Sequence, residues 1–357
     1  MSPGRRSPHD RRELIDLLEV HLMGEEPTLS GAEIAAEVGI PYAEARTRWR
    51  SLGFTEVDPD EPAFTHRDLE ALRLTQQLVE LGVVDEEDQS ALVRTMGRSF
   101  ARLAEWQMGL LGRVVDVDRM DVEELRAVVE TVTPAVEELQ SYVWRRHTLS
   151  AASRLLLAQA DDDGAPDQST AEDDGTVLGV GFADIVGYTR QSRSLTRREI
   201  GRMVDHFEGR ALEVVTAHGG RIIKSIGDEI LFVADRPEEL ARIGLELVEA
   251  AEQDDRFPEL RVGLAWGPAL ARFGDVLGPV VNIASRLTST SRPGRVLVDR
   301  ALADEVEHDA SFRLRRVRRT SVKGYRKLEP WALRRGDAPD DDTPSGPPAP
   351  DEASAEQ

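Results

Sequence analysis

Two aspartates beside predicted strands are the first residues in this sequence that could carry out chemistry. Asp184 follows the apolar run Val177–Ala183, and Asp228 lies in a two-residue turn between two further apolar runs. If those runs pair as neighbouring strands, the two carboxylates meet at one edge of a sheet, where they could bind Mg²⁺ together with substrate phosphates. Metal ions held there would activate an attacking hydroxyl group. Each aspartate also has a structural explanation, Asp184 as a turn or cap residue at a strand end and Asp228 as a turn former.

A second polar group follows about fifty residues later and consists of Asp275, Asn282 and Arg286. The dipeptide Gly278–Pro279 predicts the start of a helix, because proline is well accommodated at the first helical position. Asn282 and Arg286 are then at positions i and i+4 and share one helix face. That face could point into a site, or it could be the solvated side of the helix.

Lysine is rare in this chain and therefore informative. The 45 basic residues include only three lysines, Lys224, Lys323 and Lys327. Arginine is the usual cation here, so a lysine indicates a position where a compact ammonium group is preferred to a planar guanidinium.

The elements that must position these residues alternate between short apolar runs and amphipathic helices. From Val177 to Leu333 the pattern predicts strand, helix, strand, strand, helix and strand, followed by a shorter second set. Thr196 and Glu199 form a capping box that predicts the start of the first helix. This order is typical of an α+β, ferredoxin-like domain.

The next two strands are predicted at Arg221–Ile226 and Glu229–Ala234. Only Gly227 and Asp228 separate them, which is the composition of a tight hairpin turn. The hairpin therefore presents Asp228 at its tip.

Taken together, these segments resemble the class III nucleotidyl cyclase catalytic domain over roughly residues 177–335. The resemblance rests on three segments with their polar residues in order: Phe182-Ala183-Asp184-Ile185, Lys224-Ser225-Ile226-Gly227-Asp228, and Asp275 followed by Asn282 and Arg286. It implies an adenylyl cyclase, a phosphorus-oxygen lyase that converts ATP into 3′,5′-cyclic AMP and pyrophosphate in signal transduction.

The resemblance also implies roles for individual residues. Asp184 and Asp228, with the backbone carbonyl of Ile185, would hold two Mg²⁺ or Mn²⁺ ions per site. Lys224 and Asp275 would bind the purine, and their donor and acceptor pattern suits adenine N1 and its amino group and not guanine.

The remaining roles concern the ribose and the phosphates. Asn282 would position the ribose, Arg286 would stabilise charge at the α-phosphate in the transition state, and Lys323 would contact the triphosphate. In this family the metal-binding and the purine-binding residues of one site come from different subunits. A homodimer with two interfacial sites is therefore expected.

The first 160 residues are predicted to be mostly helical. A capping box of Ser30 and Glu33 opens a segment that looks like a helix-turn-helix, and the following helix carries Arg46, Arg48 and Arg50. These 160 residues contain 18 Arg against 29 Asp and Glu, so DNA binding is not expected.

This half of the chain also resembles the helical regulatory domain that precedes the catalytic domain in mycobacterial pH-sensing adenylyl cyclases. That resemblance implies autoinhibition and a response to pH. The histidines that could titrate are His9, His21, His66 and His147, and none is assigned as the sensor. A small-molecule or lipid ligand of this half is also compatible with the sequence.

Composition excludes several other classes of protein. The net charge is -21 and there is no cysteine, which excludes disulfide scaffolds and thiolate metal sites. No apolar run is long enough to span a bilayer, so a cytoplasmic enzyme is expected. The domain boundaries are predicted as 1–160, an acidic linker at 161–176, a catalytic domain at 177–335 and a disordered tail at 336–357.

Two alternatives remain. A diguanylate cyclase shares Gly227-Asp228-Glu229 with this chain, but Ile226 and Ile230 break that family's motif on both sides. A degenerate cyclase fold that binds nucleotides or regulates transcription is the other, although none of the six polar positions has been lost.

Overall fold

A computed structural model describes residues 8–82, 86–114, 122–161, 176–254, 256–272, 274–317 and 328–336. At residues 8–11, 79, 86–89, 114 and 157–161 it describes the backbone alone. The chain divides into two compact units, residues 1–166 and 167–357. The predicted linker and tail lie, except for their end residues, outside the described part of the chain. No helix in the described ranges is long and apolar enough to cross a membrane.

The first unit is helical, as the sequence predicts, with one two-stranded sheet that the sequence did not predict. Its elements are α1 (Pro8–Met23), β1 (Leu29–Ser30), α2 (Gly31–Val38), α3 (Tyr42–Leu52), β2 (Pro62–Phe64), α4 (His66–Glu80), α5 (Glu86–Val114) and α6 (Val122–Asp161). The capping box of Ser30 and Glu33 is present at the start of α2. In α4, Leu69 and Leu72 are buried, whereas Leu78 near the end of the helix is exposed.

A small core holds α2, α3 and α4 together. Ile34 and Trp49 are buried in it, and the Trp49 ring stacks on Phe64 of β2 with ring centroids 4.5 Å apart. Such aromatic pairs stabilise a fold beyond the area that they bury. The pair therefore fixes α3 on the short sheet.

Helix α5 packs against the end of α3 through a glycine. A Cβ atom added at Gly97 would lie 2.4 Å from the backbone oxygen of Leu52, which is much shorter than a normal contact. Glycine therefore allows the two backbones to approach closely, and it determines the distance between these helices.

The second unit is a mixed sheet covered by helices. Its elements are β3 (Thr176–Ile185), α7 (Tyr188–Gln191), α8 (Arg197–Ala217), β4 (Arg221–Ile226), β5 (Glu229–Ala234), α9 (Pro237–Gln253), β6 (Leu260–Arg272), β7 (Asp275–Leu277), α10 (Pro279–Thr290), β8 (Arg295–Val298), α11 (Arg300–Val306), β9 (Phe312–Arg316) and β10 (Trp331–Arg335). The strand order is β4-β5-β3-β6-β8-β10-β9, and β7 pairs with β6. All these pairs are antiparallel except β6 with β8.

Each face of the sheet has its own core, because successive side chains of a strand point to opposite faces. Phe232 and Ala183 belong to the core on the side of α8, α9 and α11. Phe182 and Leu231 belong to the core on the opposite side, which α10 covers. The α+β fold predicted from the sequence is therefore observed.

Several local predictions are confirmed and one is corrected. The β4–β5 hairpin has the predicted strand bounds, and Gly227 in its turn has a positive φ of 67°. The capping box of Thr196 and Glu199 starts α8, and α10 begins at Pro279. Strand β3 was predicted to end at Ala183 but continues to Ile185, because its last residues still pair with both neighbouring strands.

The backbones of helix α10 and strand β6 also lie very close together, at Gly263. A Cβ atom at Gly263 would lie 2.2 Å from the backbone nitrogen of Thr288 and 2.5 Å from the oxygen of Ala284. The helix that carries Asn282 and Arg286 is thus held against the strand by backbone contact, which leaves it little freedom to shift.

Gly97→Ala is expected to destabilise the first unit. The added methyl group must displace the Leu52 backbone, which costs about 1–3 kcal/mol and outweighs the gain of up to about 1 kcal/mol in helix propensity. Thermal unfolding followed by circular dichroism measures the change.

The matched control is Gly109→Ala on the same helix, where an added Cβ meets no described atom within 4 Å. This variant should be slightly more stable than the wild type. Equal effects of the two substitutions would contradict the assigned packing of α5 on α3.

Candidate active site

Three carboxylates gather on the face of the sheet that α10 covers. Asp184 of β3 lies opposite Glu229 of β5 in the strand register, and the backbone N–H of Ile185 donates a 3.0 Å hydrogen bond to the backbone oxygen of Asp228. The end of β3 is thereby tied to the tip of the hairpin. The two aspartates expected to bind metal are therefore neighbours, as the sequence predicted.

Arg261 of β6 supplies the positive charge beside them. It lies opposite Asp184 in the register, its Nε donates to Asp184 Oδ2 at 2.6 Å, and its terminal nitrogen contacts the same oxygen. Asp184 is only 7% exposed. An ionised carboxylate this deeply buried is retained only when a partner compensates for its lost hydration.

The pKa values of this cluster reflect the competition between burial and charge. Burial raises the pKa of Asp184, Arg261 opposes the rise, and Asp228 adds to it. Burial, followed by the charges of Asp184 and Asp228, raises the pKa of Glu229 to about 7. The cluster therefore carries more negative charge than Arg261 alone offsets.

These donors fit a divalent cation that is shared with a substrate. Within the described ranges, no group of three or more His, Cys, Asp or Glu side chains could hold a metal ion unaided. Mg²⁺ commonly takes one or two protein carboxylates and completes its octahedron with water and phosphate oxygens. Asp184 and Asp228 match that requirement, and a bound cation would relieve their mutual repulsion.

The predicted purine-binding residues form an ion pair. Lys224 Nζ lies 2.5 Å from Asp275 Oδ2, which joins β4 to β7, and both side chains are more than one third exposed. Burial alone would raise the pKa of Asp275, but the hydrogen bonds from Lys224 and from the N–H of Val276, with the charge of Lys224, lower it. The pair is accessible and offers one cationic donor and one anionic acceptor side by side.

Helix α10 presents the other two predicted residues away from the sheet. Val280, Ala284 and Leu287 are buried, whereas Asn282 is exposed and Arg286 is half-buried. Asn282 and Arg286 therefore share a face of α10 that lies roughly opposite its buried face. The i, i+4 arrangement predicted from the sequence is present.

Two charged residues near the site, Glu229 and Arg261, were not predicted as site residues from the sequence. The sequence indicates Glu229 only as part of a diguanylate cyclase motif, and its local pattern assigns no role to Arg261. A single arginine between the apolar residues of β6 was the signal that could have found it, because an unpaired charge is disfavoured at such a position. Lys323 lies outside the described residues.

Comparison with known proteins identifies both halves of the chain. Residues 171–335 match the family described as the adenylate and guanylate cyclase catalytic domain. Residues 9–116 match the adenylate cyclase regulatory domain.

Three curated relatives span both halves. An adenylate cyclase of Glutamicibacter nicotianae is 36% identical, over 93% of this chain and 85% of its own length. An adenylate cyclase of Streptomyces coelicolor is 35% identical, over 90% and 89%. A pH-sensitive adenylate cyclase of Mycobacterium tuberculosis is 31% identical, over 81% and 74%.

Arg261→Gln is expected to lower the stability of the metal-free protein by about 1–3 kcal/mol, because Asp184 loses its compensating charge. Since the folded-state pKa of Asp184 is already raised, stability decreases as the pH rises through that pKa. The deficit of the variant should therefore be larger at about pH 8 than at about pH 5. Unfolding midpoints in EDTA at both pH values measure it.

The control for this experiment is Arg256→Gln. Arg256 is 82% exposed and paired with Asp254, so its loss should change stability by less than about 0.5 kcal/mol. A deficit of Arg261→Gln that does not depend on pH would argue against the pairing with Asp184.

Proposed function

The chain belongs to the adenylate cyclase family, and we propose that it converts ATP into 3′,5′-cyclic AMP and pyrophosphate at sites shared by two copies of the chain. The observation that carries this proposal is that residues with the same expected role lie next to each other in the fold. The two metal-binding candidates are neighbours at one strand end, and the two purine-binding candidates form an accessible ion pair. The ATP substrate is consistent with a cytoplasmic enzyme.

Asp184, Asp228 and the backbone carbonyl of Ile185 would hold two Mg²⁺ or Mn²⁺ ions. These ions, when bound, lower the pKa of the ribose 3′-hydroxyl group and neutralise charge on the triphosphate. The chain contributes the fixed position of the two carboxylates, which the backbone hydrogen bond from Ile185 to Asp228 supports.

Lys224 and Asp275 would select adenine. The ammonium group donates to N1 of adenine, and the carboxylate accepts from its exocyclic amino group. Guanine presents a donor at N1 and an acceptor at O6, so both protein groups would face a group of the wrong kind. Unpaired polar groups of this sort are strongly disfavoured, and we therefore expect ATP to be preferred to GTP.

Asn282 would position the ribose, so that its 3′-oxygen lies in line with the α-phosphorus and the leaving pyrophosphate. Arg286 would stabilise the charge that develops on the α-phosphate oxygens as the new bond forms and the old one breaks. A preorganised cation in this role contributes several kcal/mol of transition-state stabilisation. Lys323 would contact the triphosphate.

Exposed apolar side chains on the second unit support the formation of a dimer. Leu270 and Leu277 face each other across the β6–β7 pair and are 51% and 50% exposed, and Ile226 at the end of β4 is 51% exposed. Asn282 and Arg286 also point away from their own sheet. A second copy would cover these apolar side chains, and its Asp184 and Asp228 would complete the site.

Control by the first unit is supported by its family and by the relative named as pH-sensitive. We propose that this unit restrains the catalytic unit near neutral pH.

Cyclic nucleotide production by the purified full-length chain tests the activity directly. With Mn²⁺ present, cyclic AMP should form from ATP and little cyclic GMP should form from GTP, and the rate should be higher at acidic pH. Addition of EDTA should abolish the product. Absence of product from both nucleotides under all conditions would favour a degenerate, nucleotide-binding cyclase fold.

Complementation tests the shared site. Asp184→Ala and Arg286→Ala should each lower kcat by at least about a hundredfold. A mixture of the two variants should regain up to about one quarter of the wild-type rate, because half of the dimers are mixed and each of these has one intact site.

The control is a mixture of Asp184→Ala with Asp228→Ala, which affects the same half-site and should remain inactive. If both mixtures stay inactive while sedimentation shows dimers, the residues of one site come from a single chain.

A further inference from the structure

A cleft in the first unit lies between α3 and α5, and none of its lining residues belongs to the proposed catalytic site. It has a volume of about 480 Å³, within the range of roughly 300–1,000 Å³ that is typical of small-molecule sites. Three arginines line it: Arg50 from α3, and Arg94 and Arg98 from α5. No aspartate or glutamate is among its described lining residues.

The spacing of the arginines follows from the packing of the two helices. Arg94 and Arg98 are one turn apart on α5, so they share a face, and Gly97 lies between them. Because Gly97 lets α5 approach the Leu52 backbone at the end of α3, the two arginines of α5 are brought to the same cleft as Arg50. The convergence is thus built into the fold.

None of these three guanidinium groups has a carboxylate partner among the residues that the structure describes. Their neighbours in α3 differ: Arg46 pairs with Glu56 at 3.4 Å, and Arg48 pairs with Glu44 at 2.5 Å. Each guanidinium group offers five N–H donors. The cleft therefore presents a concentrated set of donors in a unit where acidic residues outnumber basic ones.

The simplest structural explanation is that the arginines complement the negative end of the α3 dipole. That end is equivalent to about half an elementary charge, and two of its carbonyl groups already accept hydrogen bonds from Gly53 and Phe54. Three positive charges exceed what it requires. The exposed guanidinium groups are therefore available to an external anion.

We propose that this cleft binds a small phosphate-bearing molecule. Guanidinium groups match the geometry of phosphate oxygens and form charge-assisted hydrogen bonds with them. Apart from the arginines, the described lining residues are Thr47, Ser51, two glycines and the aliphatic residues Leu52 and Ala101. A lipid chain would therefore contact only two aliphatic side chains there.

The charge of the unit argues against a nucleic acid as the occupant. Binding to a long polyanion requires many unpaired cations over a wide surface. Residues 1–160 contain 29 acidic residues against 18 arginines, and two of the arginines on α3 are already paired with glutamates. A compact anion that contacts only the cleft avoids this repulsion.

Isothermal titration of the full-length protein with inorganic phosphate and with glycerol 3-phosphate, at low salt and in EDTA, tests the proposal. EDTA removes the divalent ions that would hold phosphates at the catalytic site. The variants are the Arg94→Gln, Arg98→Gln double substitution and, on the opposite wall, Arg50→Gln. The control is Arg102→Gln, an exposed arginine on α5 that does not line the cleft.

Loss of one guanidinium contact to a phosphate is expected to weaken binding about tenfold. Arg50→Gln should therefore bind about tenfold more weakly, the double variant more weakly still, and Arg102→Gln like the wild type. Tighter binding of glycerol 3-phosphate than of phosphate would identify an organic phosphate as the ligand class, and equal binding would identify free phosphate.

Two results would overturn the proposal. One is that the wild type binds neither compound. The other is that Arg102→Gln loses as much affinity as the cleft variants, because binding would then reflect general surface charge. Unfolding midpoints of all variants are measured alongside, so that a loss of affinity is not confused with a loss of structure.

Discussion

Like-charge crowding at the end of β3 is the constraint on which the site depends. Asp184, Asp228 and Glu229 lie close together, and Arg261 offsets only part of their charge. Such an arrangement costs stability, because charges with the same sign are held where water is scarce. It persists because strand pairing on both sides of β3 fixes the backbone, and hydrophobic cores on both faces of the sheet stabilise that pairing. A rigid sheet can therefore hold carboxylates in a position that a divalent cation would relieve.

The features that could be predicted from the sequence are those fixed by neighbouring residues. The capping box at Thr196, the Gly227–Asp228 turn and the helix start at Pro279 each depend on a few consecutive residues, so the sequence predicts them directly. The contact of Lys224 with Asp275 and the pairing of Arg261 with Asp184 depend on strand register between distant segments. Local patterns contain little information about register, which is why Lys224 and Asp275 were assigned to one site only through the family resemblance, and why Arg261 was missed.

Glycine has the same function in both units, which is to let one backbone lie directly on another. Gly97 brings α5 onto α3, and Gly263 brings α10 onto β6. In each case the two elements that meet at the glycine carry the polar residues of interest, so the glycine helps to determine where these residues lie. Glycines at such positions are hard to recognise in a single sequence, because a glycine with open space around it, such as Gly109, looks the same.

The ion pair between Lys224 and Asp275 holds two opposite charges in place side by side. Their contact of 2.5 Å uses one of the three N–H donors of the ammonium group and one acceptor position of the carboxylate, so each group can still bind a ligand. In the site proposed above, a base that offers one acceptor and one donor would be bound by both groups, whereas a base that matches only one would leave the other charge without a partner. Discrimination between bases would then need little rearrangement of the protein, because each charged group already orients the other.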